Sequence, residues 1–170
     1  MSWDSLAGGV TYGDELNQTQ RGLVPEDLLK FRWVVELALD PTGVRIAYTV
    51  KAPHAPANGY VTHVYVRDLA SGATARLTEG AGTASSLAWS RDGQRLAFGW
   101  RMDDANSVQL AAFDDGPAPT AHADYALDGP ALSGLDWSAD GRFLAGVRWT
   151  PMPDARDQGP RPGIPAPTVK

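Results

Sequence analysis

Three segments of the chain superpose without a gap: "LALDPTGVRIAY" (37–48), "LAWSRDGQRLAF" (87–98) and "LDWSADGRFLAG" (135–146). Their glycines, Gly43, Gly93 and Gly141, are 50 and 48 residues apart. Six residues before each glycine stands Leu37, Leu87 or Leu135, and four before it Leu39, Trp89 or Trp137. Three residues after it stands Ile46, Leu96 or Leu144, and four after it Ala47, Ala97 or Ala145. A repeat of this length restricts the fold to architectures built by stacking one supersecondary unit.

Each copy alternates at period two on both sides of a turn, which is the pattern of a β-hairpin. Gly93 and Gly141 suit the positive φ of a type I turn with a glycine bulge. Ser90, Asp92, Ser138 and Asp140 can bond the turn backbone, and in the first copy Pro41 presets φ. The alanine column points away from the Leu/Ile face, so both hairpin faces are apolar, one with small side chains. That suits a sheet packed between two others. A second hairpin follows in the first two copies, "HVYVRDLASGATARLT" (63–78) turning at Ser71-Gly72 and "SVQLAAFDDGPAPTAHA" (107–123) turning at Asp115-Gly116. Two hairpins make four antiparallel strands in about 48 residues, the size of a β-propeller blade. The expected fold is all-β: an incomplete β-propeller of about two and a half four-stranded antiparallel blades with one short N-terminal helix. A generic β-sandwich with regular turns is the alternative.

The Ser-x-Asp-Gly hairpin, with Trp before it and Leu-Ala-Phe after it, resembles the TolB-type propeller repeat. "VPEDLLKFRWVVELALDPTGVRIAYTV" (24–50) and "VYVRDLASGATARLTEG" (64–80) resemble acylaminoacyl-peptidase-like members of the prolyl oligopeptidase family. There a Pro-Glu-Asp-Leu helix leads into an Arg-Trp-Val strand and the first propeller turn. The resemblance covers residues 22–149. Two departures stand out. Val24 replaces the usual Ser/Thr before the helix, which weakens the N-cap, and Asp40-Pro41-Thr42-Gly43 lacks the Asp-Gly of the turn.

The chain divides into a flexible arm (1–22), a partial propeller (23–150) and a Pro-rich tail with no packed structure (151–170). Within the propeller come a helix at 25–31 and blades over 33–80, 81–124 and 127–149, with 51–60 as the loop joining the hairpins of the first blade. Pro25 suits the first helical turn, and Glu26 and Asp27 favour the helix N-terminus.

Net charge of −5 offers no basic patch for phosphates, which argues against nucleic acid. The N-terminus lacks the basic start and apolar core of a secretory signal. No apolar run approaches the roughly 18 residues that span a bilayer. The expected location is cytoplasmic, with no membrane partner. There is no cysteine for a disulfide or thiolate metal site. His54, His63 and His122 lack metal-ligand spacing; His54 reads as solvated in its loop, and His63 and His122 fall near strand ends. Asp103-Asp104 and Asp114-Asp115 read as solvated turn acids. Asn17-Gln18-Thr19 is a formal glycosylation acceptor, without meaning unless secreted. Trp89 and Trp137, in a repeat column, read as core; Trp100, at a strand end, is the candidate exposed ring. No Gly-x-Ser-x-Gly elbow occurs, "GPALSG" (129–134) having the wrong spacing. No catalytic, cofactor-binding or metal residue is therefore assigned, and no cofactor is expected.

The resemblance implies a truncated, substrate-gating propeller portion of a serine peptidase, catalytically inactive on its own. Its partner would be a chain carrying the remaining blades and the α/β-hydrolase domain, or a second copy by self-association. Short peptides would bind only in the complete assembly. The alternative is a free-standing TolB-like propeller-repeat binding or scaffold module. Open blades leave apolar faces uncovered, so the isolated chain is not expected to behave as a compact monomer.

Overall fold

The computed structural model describes residues 22–149. The expected tail (151–170) and all but the last residue of the expected arm (1–22) lie outside the described residues. The chain opens with a 3₁₀ helix, Pro25–Lys30, one residue shorter than expected. Val24 has no side-chain oxygen to cap it; instead Asp27 Oδ2 accepts the Val24 N–H at 3.2 Å.

The first unit is an antiparallel run of β1 (Trp33–Leu39), β2 (Arg45–His54), β3 (Gly59–Asp68) and the short β4 (Thr74–Arg76). The second is β5 (Thr83–Trp89), β6 (Arg95–Met102), β7 (Ala105–Ala112) and β8 (Ala121–Leu127), also antiparallel. A single parallel pair, Thr62 with Thr83, joins the two into one eight-stranded sheet. The hairpin of β9 (Leu132–Trp137) and β10 (Leu144–Arg148) stands as a separate sheet. These strands form part of a β-propeller.

Residues 51–60 are not a loop. β2 and β3 stay in register from Arg45–Asp68 to His54–Gly59, and only a short turn at Ala55–Ala57 separates them. Pro53 is tolerated because β1 ends opposite Lys51, so no ladder bond is demanded on that side. Asn58, in the left-handed region at φ 44°, closes the turn. His63 therefore lies mid-strand rather than near a strand end.

The repeat is reproduced atom by atom at the turns. Gly43, Gly93 and Gly141 have φ of 74°, 69° and 66°. In the second unit Ser90 Oγ donates to Asp92 Oδ1 and accepts from the Arg95 N–H. In the third, Ser138 Oγ donates to Asp140 Oδ1 and accepts from the Phe143 N–H. The first copy keeps this network with its chemistry exchanged: Thr42 Oγ1 donates to Asp40 Oδ1 at 2.9 Å, and Asp40 accepts the Val44 and Arg45 N–H groups. The apparently lost turn is a swap of acid and hydroxyl between two positions.

Each unit has unlike faces. The back face of the second unit carries Leu87, Trp89, Leu96 and Phe98, all buried against Ala38, Ala47, Val64 and Val66 of the first. Its forward face carries Ala88, Ala97 and Val108, which pack on Leu135, Trp137 and Leu144 of the third. At both junctions an indole N–H donates to the preceding unit at 3.0 Å: Trp89 to the Ala38 carbonyl and Trp137 to the Ala88 carbonyl. Arg45 then lies over the Trp89 ring at 5.7 Å, and Arg95 over Trp137 at 4.9 Å. The alanine column fits this reading: Ala47 and Ala97 are fully buried, while Ala145, facing forward from the third unit, is exposed.

A β-bulge interrupts the first hairpin of all three units, near Val34/Glu36, Ser85/Ala88 and Ala145/Val147. In the second unit it places Ser86 at φ 59°, left-handed for a non-glycine residue. Both oxygens of Glu36, in the first unit, accept the Ser86 and Leu87 N–H groups at 2.9 Å. The matching residue in the third unit is Gly134, at φ 57°.

Candidate functional site

The second strand of each first hairpin leaves a glycine turn and ends at His54, Met102 or Arg148, so these residues mark one end of the structure. Two clefts open there. The first, about 300 Å³, lies between the 3₁₀ helix and the β2–β3 turn, lined by Leu28, Phe31, Trp33, His54 and Tyr60 among others. Phe31 stacks on Trp33 at 6.1 Å, Tyr60 meets Trp33 edge-on at 5.9 Å, and Lys51 Nζ sits 4.6 Å from the Tyr60 ring centre. His54 Nδ1 is buried there without a hydrogen-bond partner, so this histidine is not simply solvated. The second cleft, about 360 Å³, lies where the second unit meets the chain leading to β9, with Thr83, Ser85, Trp100, Arg101 and Asn106 in its wall. Asn106 donates to the Gly129 carbonyl at 3.0 Å.

Trp100 is buried, not exposed. It packs 6.0 Å from His63 and so close to Gly82 that a Cβ there would enter the ring. Among the described residues the open indoles are Trp33 and Trp149, 42% and 74% exposed. Trp33 lay unremarked in the Arg-Trp-Val strand, although a tryptophan outside the repeat column was the available signal.

His63 is buried and held on both ring nitrogens. Arg76 Nη2 lies 3.0 Å from its Nε2. A guanidinium only donates, so Nε2 accepts and the ring proton sits on Nδ1, donating to Thr78 Oγ1 at 3.1 Å. Burial first, then the Arg76 charge, holds the imidazole pKa below its ordinary value. A hydroxyl beside a histidine can suggest a nucleophile pair, but the proton runs the wrong way: the ring donates to the hydroxyl, which also accepts the Val64 N–H. Arg76 occupies the place where an orienting carboxylate would sit.

His122 is exposed near the start of β8 and stacks on Phe98 at 6.2 Å. Asp103 and Asp104 form the exposed β6–β7 turn, and Asp114 and Asp115 lie exposed in the loop after β7. No group of three His, Cys, Asp or Glu suited to a metal occurs among the described residues. The clefts can accept apolar and aromatic side chains or a stretch of extended backbone. No nucleophile, base and acid converge among the described residues.

No family model matches the chain. The dipeptidyl-peptidase 5 of Porphyromonas endodontalis is 30% identical over 94 residues, covering 54% of this chain and 14% of that protein. The fold resembles an acylaminoacyl peptidase solved in complex with Z-Gly-Gly-Phe-chloromethyl ketone (TM-score 0.58, 16% identity), over 71% of this chain and 18% of that one. It also resembles the β-propeller domain of the Trilobed protease from Pyrococcus furiosus (TM-score 0.52, 18% identity), over 70% of this chain and 34% of that domain. The chain thus spans 14% of that dipeptidyl peptidase and 18% of that acylaminoacyl peptidase, and the fold it shares with these proteins is that of peptidase β-propellers. Among the described residues no helix is long and apolar enough to cross a membrane.

Proposed function

We propose that residues 22–149 are part of the substrate-gating propeller of a serine peptidase of the acylaminoacyl-peptidase type, working in the cytoplasm beside a hydrolase domain. On this reading the described strands supply about two and a half blades of TolB type. They admit short peptides toward a catalytic centre and exclude folded chains, and they carry none of the reacting groups. The observation that carries the reading is the likeness of these units to the propellers of peptidases, joined to the 30% identity with a dipeptidyl peptidase. The absence of a Gly-x-Ser-x-Gly sequence in the 170 residues agrees with it. A free-standing repeat module is the second reading. It is favoured by the junctions, whose indole and guanidinium contacts are complete within the repeat and call on no hydrolase.

Two measurements decide between them. The coding region around these residues is read for further Trp-bearing units and a nucleophile elbow, and the resulting polypeptide is treated with a fluorophosphonate probe. The peptidase reading expects labelling of that polypeptide and none of the 170-residue chain. Flanking sequence without further units, or stoichiometric labelling of the 170-residue chain itself, refutes it.

A further inference from the structure

The chain passes from the first unit to the second through residues 77–82, which lie along β3. The Leu77 N–H donates to the Val64 carbonyl at 2.8 Å, Thr78 Oγ1 accepts the Val64 N–H at 3.1 Å, and the Gly82 carbonyl accepts the Thr62 N–H at 3.0 Å. The parallel pair of Thr62 with Thr83 follows at once. His63 stands between these ties, buried, with Thr78 on one ring nitrogen and Arg76 on the other. Arg76 Nε also donates to the Thr78 carbonyl at 2.7 Å, and its Nη2 lies 3.4 Å from Glu79 Oε2. One guanidinium therefore serves the imidazole, the crossing segment and an exposed carboxylate together.

This arrangement suits a neutral imidazole. Arg76 reaches Nε2 as a donor, so Nε2 must offer a lone pair. A proton there would set two N–H donors against each other 3.0 Å apart, each on a positive group and one of them buried. The other groups facing the ring do not offset this. His54, at the end of β2, adds a like charge when protonated, and Trp100 of β6 presents an uncharged ring 6.0 Å away. The acid, Glu79, has a side chain 82% exposed and already lies beside Arg76.

We propose that His63, Arg76 and Thr78 form an acid-released latch on the crossing between the first two units. A proton from solvent binds Nε2, Arg76 gives up that nitrogen and turns to Glu79, and the tie from Arg76 to the Thr78 carbonyl is lost with it. Residues 77–82 then loosen from β3, together with the Thr62–Gly82 bond, while the antiparallel runs on either side persist. Burial first, then the Arg76 charge, lowers the imidazole pKa and so places the release below pH 6.5. The proposal rests on the geometry around His63 and not on the peptidase reading.

The test is hydrogen exchange read by mass spectrometry on the full 170-residue chain. It is run at pH 7.5 and 5.5 in a series of low urea concentrations, with rates corrected for the intrinsic effect of pH. An imidazole released from the latch, with the ordinary pKa of about 6.5, is protonated about ten times as often as not at pH 5.5. Acid should therefore weaken the protection of peptides spanning 62–64 and 77–82 by about three- to tenfold, through an opening that urea hardly accelerates. Peptides from β6 and β7 should exchange more slowly and with the steep urea dependence of global unfolding. Arg76→Gln keeps the histidine but removes the conflict, because an amide can accept from a protonated ring as readily as it donates to a neutral one. It should abolish the acid effect on 62–64 and 77–82, and His63→Gln should do the same. An acid effect that is absent from the unaltered chain, that survives either substitution, or that follows the urea dependence of β6 and β7 overturns the proposal.

Discussion

Replacing Trp89 by Phe removes one directional contact of the junction, the indole hydrogen bond, while keeping an aromatic ring in place. Three losses follow. The indole N–H no longer reaches the Ala38 carbonyl, now at 3.0 Å, a loss of about 1 kcal/mol for a neutral hydrogen bond. The smaller ring leaves a void of some tens of Å³ in a well-packed cluster, about 1 kcal/mol more at roughly 24 cal/mol per Å³. Arg45, 5.7 Å above the indole, faces a poorer π-surface, at about 0.5 kcal/mol. Together Trp89→Phe should destabilise the fold by about 2–3 kcal/mol. Trp137→Phe loses the same kind of bond, but its ring is only half-buried, so about 1–1.5 kcal/mol is expected. Urea unfolding followed by far-UV circular dichroism, which does not depend on the mutated fluorophore, should show the Trp89→Phe midpoint lowered by about 1 M. A loss below about 0.5 kcal/mol for Trp89→Phe, or a larger cost for Trp137→Phe, would refute the idea that indole docking holds neighbouring units together.

Four further outcomes can be checked on the same chain. Ser90→Ala, at a fully buried hydroxyl holding both Asp92 and the Arg95 N–H, should cost about 1–3 kcal/mol in urea unfolding, and Ser138→Ala, at an exposed turn, distinctly less. Gly93→Val should destabilise more than Gly43→Val: both force a β-branched residue to positive φ, but a Cβ at 93 also meets Thr42 Cγ2 at 3.2 Å, whereas a Cβ at 43 meets nothing. Because the folded-state pKa of His63 lies below 6.5, the unfolded chain binds more protons as pH falls, so stability should decline from about pH 6.5 downward; His63→Gln should flatten that slope in denaturation series between pH 7 and about 5. Gly82→Ala should displace Trp100 and shift its fluorescence, with a loss on the order of 1–3 kcal/mol on thermal melting.

Features that recur in all three copies were legible in the sequence. Glycine turns, alternating strands and the small-residue face each appear three times, and an alignment of the chain with itself separates them from chance. The propeller fold followed from the same columns, and its likeness to peptidase propellers from the resemblance of segments 24–50 and 64–80. What escaped was carried by single residues or by tertiary context. β2 and β3 run through "KAPHAPANGY" because Pro53 extends past the end of β1, a fact about a neighbouring strand that local composition cannot reveal. Trp100 reads as a strand-end ring, yet its burial depends on Gly82 and His63, 18 and 37 residues away. Of the aromatic cleft, Trp33 and Tyr60 are visible as residues, but only the fold brings them together across 27 positions. The Asp40–Thr42 swap was readable in principle, since an acid and a hydroxyl two residues apart can serve the turn in either order.

The grip of Glu36 on Ser86 has a consequence for the order of assembly. A non-glycine residue in the left-handed region costs roughly 1–2 kcal/mol that its own strand does not recover. In the third unit no such debt arises, because glycine occupies the same position. The first strand of the second unit is therefore completed with help from a carboxylate contributed 50 positions earlier in the chain. Chain emerging from the ribosome would meet this condition in the right sequence, first unit before second. Glycine at position 86 would relieve the backbone strain but would leave the two N–H groups that Glu36 accepts, so the carboxylate does more than offset φ. One side chain thus turns two modules that look independent into a single cooperative step.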